Sequence, residues 1–195
     1  MNTVTKFENE IASFFGAPHA VAVDCCTHGL ELCLRYTNAK EIKPPTHTYL
    51  SVAMLADKLN IKRTWREIYW KDYYYLTDDI IDAAVLWEAD SYIPGTFMCI
   101  SFQFQKHLSL GRGGMVLCDD PTEALILKKM SYDGRVPEVP WREQNIYTVG
   151  YHYYMTPETA DRGLEKLQEA IDTPPRSWVP NDWPDLRTLE VFKNG

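Results

Sequence analysis

The sequence predicts an α/β fold in three layers, with helices on both faces of a mostly parallel central sheet. Strand and helix signals alternate along the chain. The run Phe97, Met98, Cys99, Ile100 and Phe102, bounded by Pro94-Gly95, is short and apolar, as a strand covered on both faces must be. A length of 195 residues with 45% hydrophobic content is enough to bury the core of one domain. That domain is expected over residues 1–172, with an irregular extension rich in Pro and Trp over 173–195.

The elements follow in order. Thr5 with Glu8 has capping-box spacing, and Phe7, Ile11, Phe14 and Phe15 then fall on one helical face until Gly16-Ala17-Pro18 ends it. His19 to Asp24 alternates as a strand, and Cys25-Cys26-Thr27-His28-Gly29 turns into a helix with Leu30, Cys33 and Leu34 inward. A loop from Pro44 to Ser51 leads to a helix with Val52, Leu55, Ala56 and Leu59 on one face. Ile61 to Trp65 is a short strand candidate, the aromatics of 70–75 suit packing, and Ala83 to Trp87 is the next apolar run. After the strand at 97–102 come Lys106, the glycines 111, 113 and 114, and a second apolar strand from Met115 to Leu117. Asp120-Pro121-Thr122-Glu123 starts a helix with Leu125, Leu127 and Met130 inward, and Gly134 stops it. A loop from Trp141 to Tyr154 precedes a last helix opened by Thr156-Pro157-Glu158.

A formal charge of −7 and no basic stripe argue against nucleic-acid binding, which rests on clustered Lys and Arg. Cysteines at 25, 26, 33, 99 and 118 sit mostly in apolar runs with no Cys-x-x-Cys pair, so they are expected to be reduced core residues of a cytoplasmic protein, with neither a disulfide scaffold nor a metal site. The polar, acidic N-terminus argues against a signal peptide, and no apolar run approaches the roughly 20 residues that span a bilayer.

Two places carry chemistry. Lys106 lies just past a strand end, at the sheet edge where open α/β folds place ligands, and a partly desolvated amine there can form a Schiff base. The strand-to-helix turn at Cys26 and Thr27 is a ready anion site, because unpaired first-turn N–H groups and the helix dipole both favour a phosphate.

Ser101-Phe102-x-x-x-Lys106 followed by Gly-x-Gly-Gly resembles the cofactor-lysine segment of the DegT-type sugar aminotransferases, pyridoxal phosphate (PLP) enzymes of fold type I. The family has Glu where this chain has Arg112. The resemblance extends with gaps over residues 7 to 171, on a chain about half as long as the family's, and implies the large domain without the C-terminal small one. It implies that Lys106 carries PLP, that Ser101 and Thr27 grip the phosphate with Cys26 at a family glycine, and that Tyr49 stacks on the ring. His152 stands where the family's Asn reaches the phosphate of the neighbouring subunit, and Tyr154 replaces an Arg. Arg112 is assigned to an anionic group of donor or substrate.

The acid that should pair with the pyridine nitrogen is open among three positions. Asp90 comes first, because the family's acid is Asp at the end of this strand; Glu88 follows, since aligning it puts Ser91 at the family's Gln. Asp82-Ala83-Ala84 copies the family's Asp-Ala-Ala but precedes the apolar run, and so ranks third. The expected function is amino transfer from an amino acid to a keto-sugar nucleotide, by a homodimer with sites at its interface. A PLP-dependent decarboxylase or lyase, and a non-catalytic binding or assembly module, are the alternatives.

Overall fold

The structure is a computed structural model that describes residues 2–193. Its centre is a five-stranded sheet of β1 (His19–Val23), β7 (Gly114–Cys118), β6 (Phe97–Ser101), β5 (Ile80–Asp82) and β4 (Tyr74–Tyr75), in that spatial order. β2 (Glu41–Ile42) and β3 (Lys62–Arg63) form a separate parallel pair. The helices are α1 (Thr3–Phe15), α2 (Cys26–Tyr36), α3 (Leu50–Leu59), α4 (Pro121–Ser131), α5 (Pro157–Asp172) and the short α6 (Glu190–Lys193).

The three layers follow from side-chain alternation. Met98, Ile100, Met115 and Leu117 join Phe7, Ile11 and Phe15 of α1 and Ala160 and Leu167 of α5 in one buried cluster. Phe97, Cys99, Val116 and Cys118 point the other way, into a cluster with Leu30, Cys33 and Leu34 of α2, Val52 and Leu55 of α3, and Leu127 of α4. Both sheet faces are thus covered, which is why these strands are apolar without interruption.

Strand direction differs from expectation: the sheet is mixed. Of the neighbouring pairs in this sheet β5–β6 is parallel and β1–β7, β7–β6 and β5–β4 are antiparallel, so β1, β6 and β5 run one way and β7 and β4 the other. A strand buried on both faces reads the same whichever way its neighbour runs. What sets direction is the connection, and the link 102–113 contains no helix to carry the chain over the sheet, so β7 turns back along β6.

Three local corrections matter. The first helix is capped by Asn2, whose side chain accepts from the Thr5 amide at 2.8 Å. Glu8 is instead buried, accepting from the Ala22 amide and from Lys128. The strand candidate at 61–65 is only Lys62–Arg63. Finally, the strand expected at Ala83 to Trp87 lies earlier, at Ile80–Asp82. Ala83, Leu86 and Trp87 are apolar because they fold as a buried turn against α1 and α5.

The extension is irregular but anchored. Asp72 and Trp178 exchange backbone and side-chain hydrogen bonds of 3.0 and 2.8 Å, and the Leu186 amide donates to the Thr46 carbonyl at 2.8 Å. Among the described residues no helix is long and apolar enough to cross a membrane.

Candidate active site

A cleft of about 920 Å³ opens where the C-terminal ends of β5 and β6 meet the N-termini of α2 and α3. Cys26, Thr27, Tyr49, Ser101, Lys106 and Arg112 all line it, and so does Asp82. This volume is within the range of small-molecule sites.

Asp82 ends β5 directly opposite Tyr74 of β4. Its carboxylate accepts from the Tyr74 hydroxyl and, at 3.0 Å, from the Ala84 amide. Tyr74 is buried and in turn 2.6 Å from the Thr48 hydroxyl, which is left to donate. Burial pushes the Asp82 carboxyl up, while Tyr74, the Ala84 amide and the Lys106 charge oppose it.

Lys106 sits in the turn after β6, where its amide donates to the Gln103 carbonyl at 2.8 Å. Its amine lies 5.1 Å from the centre of the Trp178 ring, a cation–π contact. Burial lowers its pKa; Asp82 and the Cys26 thiol hold it up, and Arg176 pushes it down again. Such an amine is closer to the neutral, nucleophilic state than a solvated lysine.

At the other end of the cleft, Cys25 caps α2 through its backbone alone, with no side-chain bond to the first-turn amides. Those amides remain available to an anion. Thr27 Oγ1 is 2.7 Å from Ser51 Oγ. The Cys26 thiol rests 3.4 Å from the Cys99 carbonyl, so the residue at the family's glycine position spends its side chain on the core. β7 approaches this turn so closely that a Cβ at Gly114 would lie 2.5 Å from the Cys26 nitrogen. Beside the turn, Asp24 accepts from His28 at 2.6 Å and from Arg112 at 2.7 Å. Burial works against the His28 charge, but Asp24 and Cys25 outweigh it and raise the ring to about 9. Asp24 itself is held low by the same two cations in spite of its burial.

The remaining expected site residues lie elsewhere. Glu88 and Asp90 are exposed, Glu88 on a neighbouring cavity of about 600 Å³ behind residues 171–177. The Asp90 and Tyr92 amides donate to the Phe14 and Phe15 carbonyls, so the segment closes the end of α1 instead of a strand. Ser91 donates to the Glu88 carbonyl in that turn. The cause is the earlier position of the strand described above: it ends at Asp82, ranked third, and not at Glu88 or Asp90. His152 is exposed, 3.2 Å from the Asp133 carboxylate, on a smaller cavity shared with Arg112 and Tyr154. Tyr74, Arg176, Trp178 and Asp24 escape sequence reasoning; the density of aromatics at 70–75 and in the extension is their only signal.

The DegT/DnrJ/EryC1/StrS aminotransferase family model matches residues 2–87 and 93–173. It passes over 88–92 and ends at 173, the first residue of the extension. The solved sugar aminotransferase CalS13 from Micromonospora echinospora is similar in fold, with a TM-score of 0.71 at 14% identity over 87% of this chain and 61% of that one. The PLP form of Spr1654 from Streptococcus pneumoniae gives 0.73 at 16% identity, over 88% and 60%. AtS13 from Actinomadura melliaura gives 0.70 at 19% identity, over 87% and 60%. The chain therefore spans about three fifths of the length of these structures. No curated protein sequence matches significantly. With the family model covering most of the sequence, the chain belongs to the DegT/DnrJ/EryC1/StrS aminotransferase family.

Proposed function

We propose that this chain is a PLP-dependent aminotransferase that moves an amino group from an amino acid to a keto-sugar nucleotide. The observation that carries it is a half-buried lysine and a buried aspartate facing one cleft, with an open helix N-terminus at its end. The family, and the PLP form of a neighbour, support the cofactor.

The residues fit that cofactor. Its phosphate suits the first-turn amides of α2 with Thr27 and Ser101; its planar ring suits the exposed face of Tyr49; its ring nitrogen suits Asp82. When bound, PLP supplies an electron sink for charge that develops at the donor's α-carbon. Lys106 would hold the cofactor through its amine and, when freed, would take the proton from the donor's α-carbon. Asp82 would hold the cofactor's ring nitrogen, with Tyr74 and the Ala84 amide fixing its two oxygens. Asp90 and Glu88 then serve the end of α1 and have no part in the chemistry.

The proposed homodimer is supported by an apolar stretch on the loop between α4 and α5, where Val139, Trp141, Ile146, Tyr147 and Val149 are exposed. His152 would reach a neighbour's phosphate from the end of the same loop. A cytoplasmic setting accords with five unpaired cysteines.

The test is an absorption spectrum with added PLP, then borohydride reduction and peptide mapping. A visible band fixed onto Lys106, and lost in Lys106→Ala, supports the proposal; a folded protein with no band refutes it. That second outcome would favour a cofactor-free binding module, for which the engagement of Arg112 by Asp24 speaks.

A further inference from the structure

The extension, which lies beyond the family match but for its first residue, forms one wall of the cleft: Arg176, Trp178, Asp182 and Trp183 all line it. Arg176 stacks on Trp178 with its guanidinium carbon 3.6 Å from the ring centre, and Lys106 lies 5.1 Å from that same centre. The two cations are therefore separated by at most 8.7 Å, the sum of those distances. That spacing matches a small molecule whose reacting amine or carbonyl carbon is at Lys106 and whose oxyanion is a few bonds away.

Arg176 is also built to stay there. Asp182 accepts from it at 2.5 Å and from the Val179 amide at 2.9 Å, which ties the arginine to its own turn. This pair engages one of the five guanidinium N–H donors, and 59% of the side chain is exposed. Asp82 is buried under Tyr74, and the other cleft arginine, Arg112, gives one donor to Asp24 beside the α2 turn. Arg176 also has donors to spare and is the arginine that shares the Trp178 ring with Lys106; a planar fork held flat on an indole is suited to bidentate recognition of an oxyanion.

We propose that Arg176, presented by Trp178 and Asp182, is a specificity-determining residue that binds an oxyanion, a carboxylate or a phosphate, of the molecule reacting at Lys106. This rests on the aminotransferase proposal for the place of reaction, but the wall itself does not. The extension would then supply, from this chain, a substrate contact that the family match does not contain.

The experiment compares the parent with Arg176→Gln and Arg176→Lys after PLP has been fixed onto Lys106 by borohydride, a form that fills the cofactor site and cannot turn over. Binding of glutarate and of methyl phosphate is measured by calorimetry. At least tenfold weaker binding in Arg176→Gln, with part restored in Arg176→Lys, supports the proposal, and the anion that shows it identifies the source. A second readout follows the half-reaction of the unreduced, PLP-loaded protein with L-alanine and with ethylamine, which lacks the carboxylate. If the carboxylate is the ligand, Arg176→Gln raises KM for alanine at least tenfold and leaves ethylamine unchanged; if the phosphate is, both donors are unchanged while methyl phosphate binding falls. Equal binding of both anions by parent and Arg176→Gln, or binding of neither, overturns it. If no PLP is fixed at all, the cofactor assignment fails separately, and the same calorimetry on the unloaded chain still decides whether Arg176 binds an anion.

Discussion

Replacing Gly114 by Ala tests whether the close approach of β7 to the α2 turn builds the anion end of the cleft. The added Cβ would lie 2.5 Å from the Cys26 nitrogen and 2.7 Å from the Cys25 carbonyl carbon. Ordinary contact begins near 3.4 Å, so strand and turn must separate by roughly 0.9 Å. The strand cannot yield easily, because Gly114 is paired with Val23 of β1 on one side and with Ser101 of β6 on the other. The turn must move, and it opens the packing of α2 on Cys99 and Val116. Overpacking of this kind costs about 1–3 kcal/mol, and a backbone clash belongs at the upper end. About 3 kcal/mol lowers the thermal midpoint of a chain this size by roughly 6–12 °C. The measurement is thermal unfolding by circular dichroism, paired with PLP titration at a temperature where the variant is folded. PLP affinity should fall at least tenfold, since the first-turn amides are displaced. Gly111→Ala is the control: nothing lies within 4 Å of its Cβ, and its φ of +86° costs about 1 kcal/mol through strain alone. A Gly114→Ala variant with the parent's midpoint and PLP affinity would refute the role given to this contact.

Tyr74→Phe removes the hydroxyl from a buried carboxylate and should cost about 1–3 kcal/mol, read as a shift in the urea midpoint without a change in slope. Asp82→Asn should keep the adduct at Lys106 but slow amino transfer at least a hundredfold, whereas Asp90→Asn and Glu88→Gln should leave the rate within twofold; the reverse pattern would return the ring-nitrogen role to the 88–90 segment. The His28–Asp24 pair predicts a pH trend. Folding raises His28 from 6.5 to about 9, so its contribution is complete below about pH 6.5 and is lost as pH rises through 9. Unscreened, that rise is worth roughly 3 kcal/mol; with the pair partly open to solvent we expect about 1–2 kcal/mol, absent in His28→Gln. Sedimentation should give twice the chain mass, and Trp141→Glu with Val149→Glu should return it to one.

The layers are legible in the sequence because burial leaves a direct trace in composition. Phe97 to Cys99 and Met115 to Leu117 are apolar on both faces, and Asp120-Pro121 and Thr156-Pro157 mark helix starts that the structure bears out. Strand direction leaves no such trace. Nor does the difference between a buried strand and a buried turn: Ala83 to Trp87 is as apolar as a strand because it covers α1, and that displaced the expected acid by one short segment. The literal Asp82-Ala83-Ala84 match falls where Asp82 ends a strand and is paired across to Tyr74. Lys106 was readable from local pattern, but its neighbours Trp178 and Arg176 are some seventy residues further on, and no periodicity links them.

The extension is more than a tail because aromatic contacts join it to the buried acid. Trp178 meets Trp183 at 5.4 Å, Trp183 meets Trp70 at 5.1 Å, and Trp70 meets Tyr74 at 5.1 Å, whose hydroxyl holds Asp82. The Trp70 indole also donates to the His47 carbonyl, and His47 Nδ1 is 2.9 Å from the Trp183 carbonyl, so the loop that presents Tyr49 is fixed by the same contacts. Each ring is a large, stiff surface, and such pairs add about 0.5–1.5 kcal/mol beyond the area they bury. The cleft wall is stabilised by an irregular segment that runs along aromatics already packed on the sheet edge, and this places one wall of the cleft, the ring-facing loop and the buried aspartate in a single packed unit.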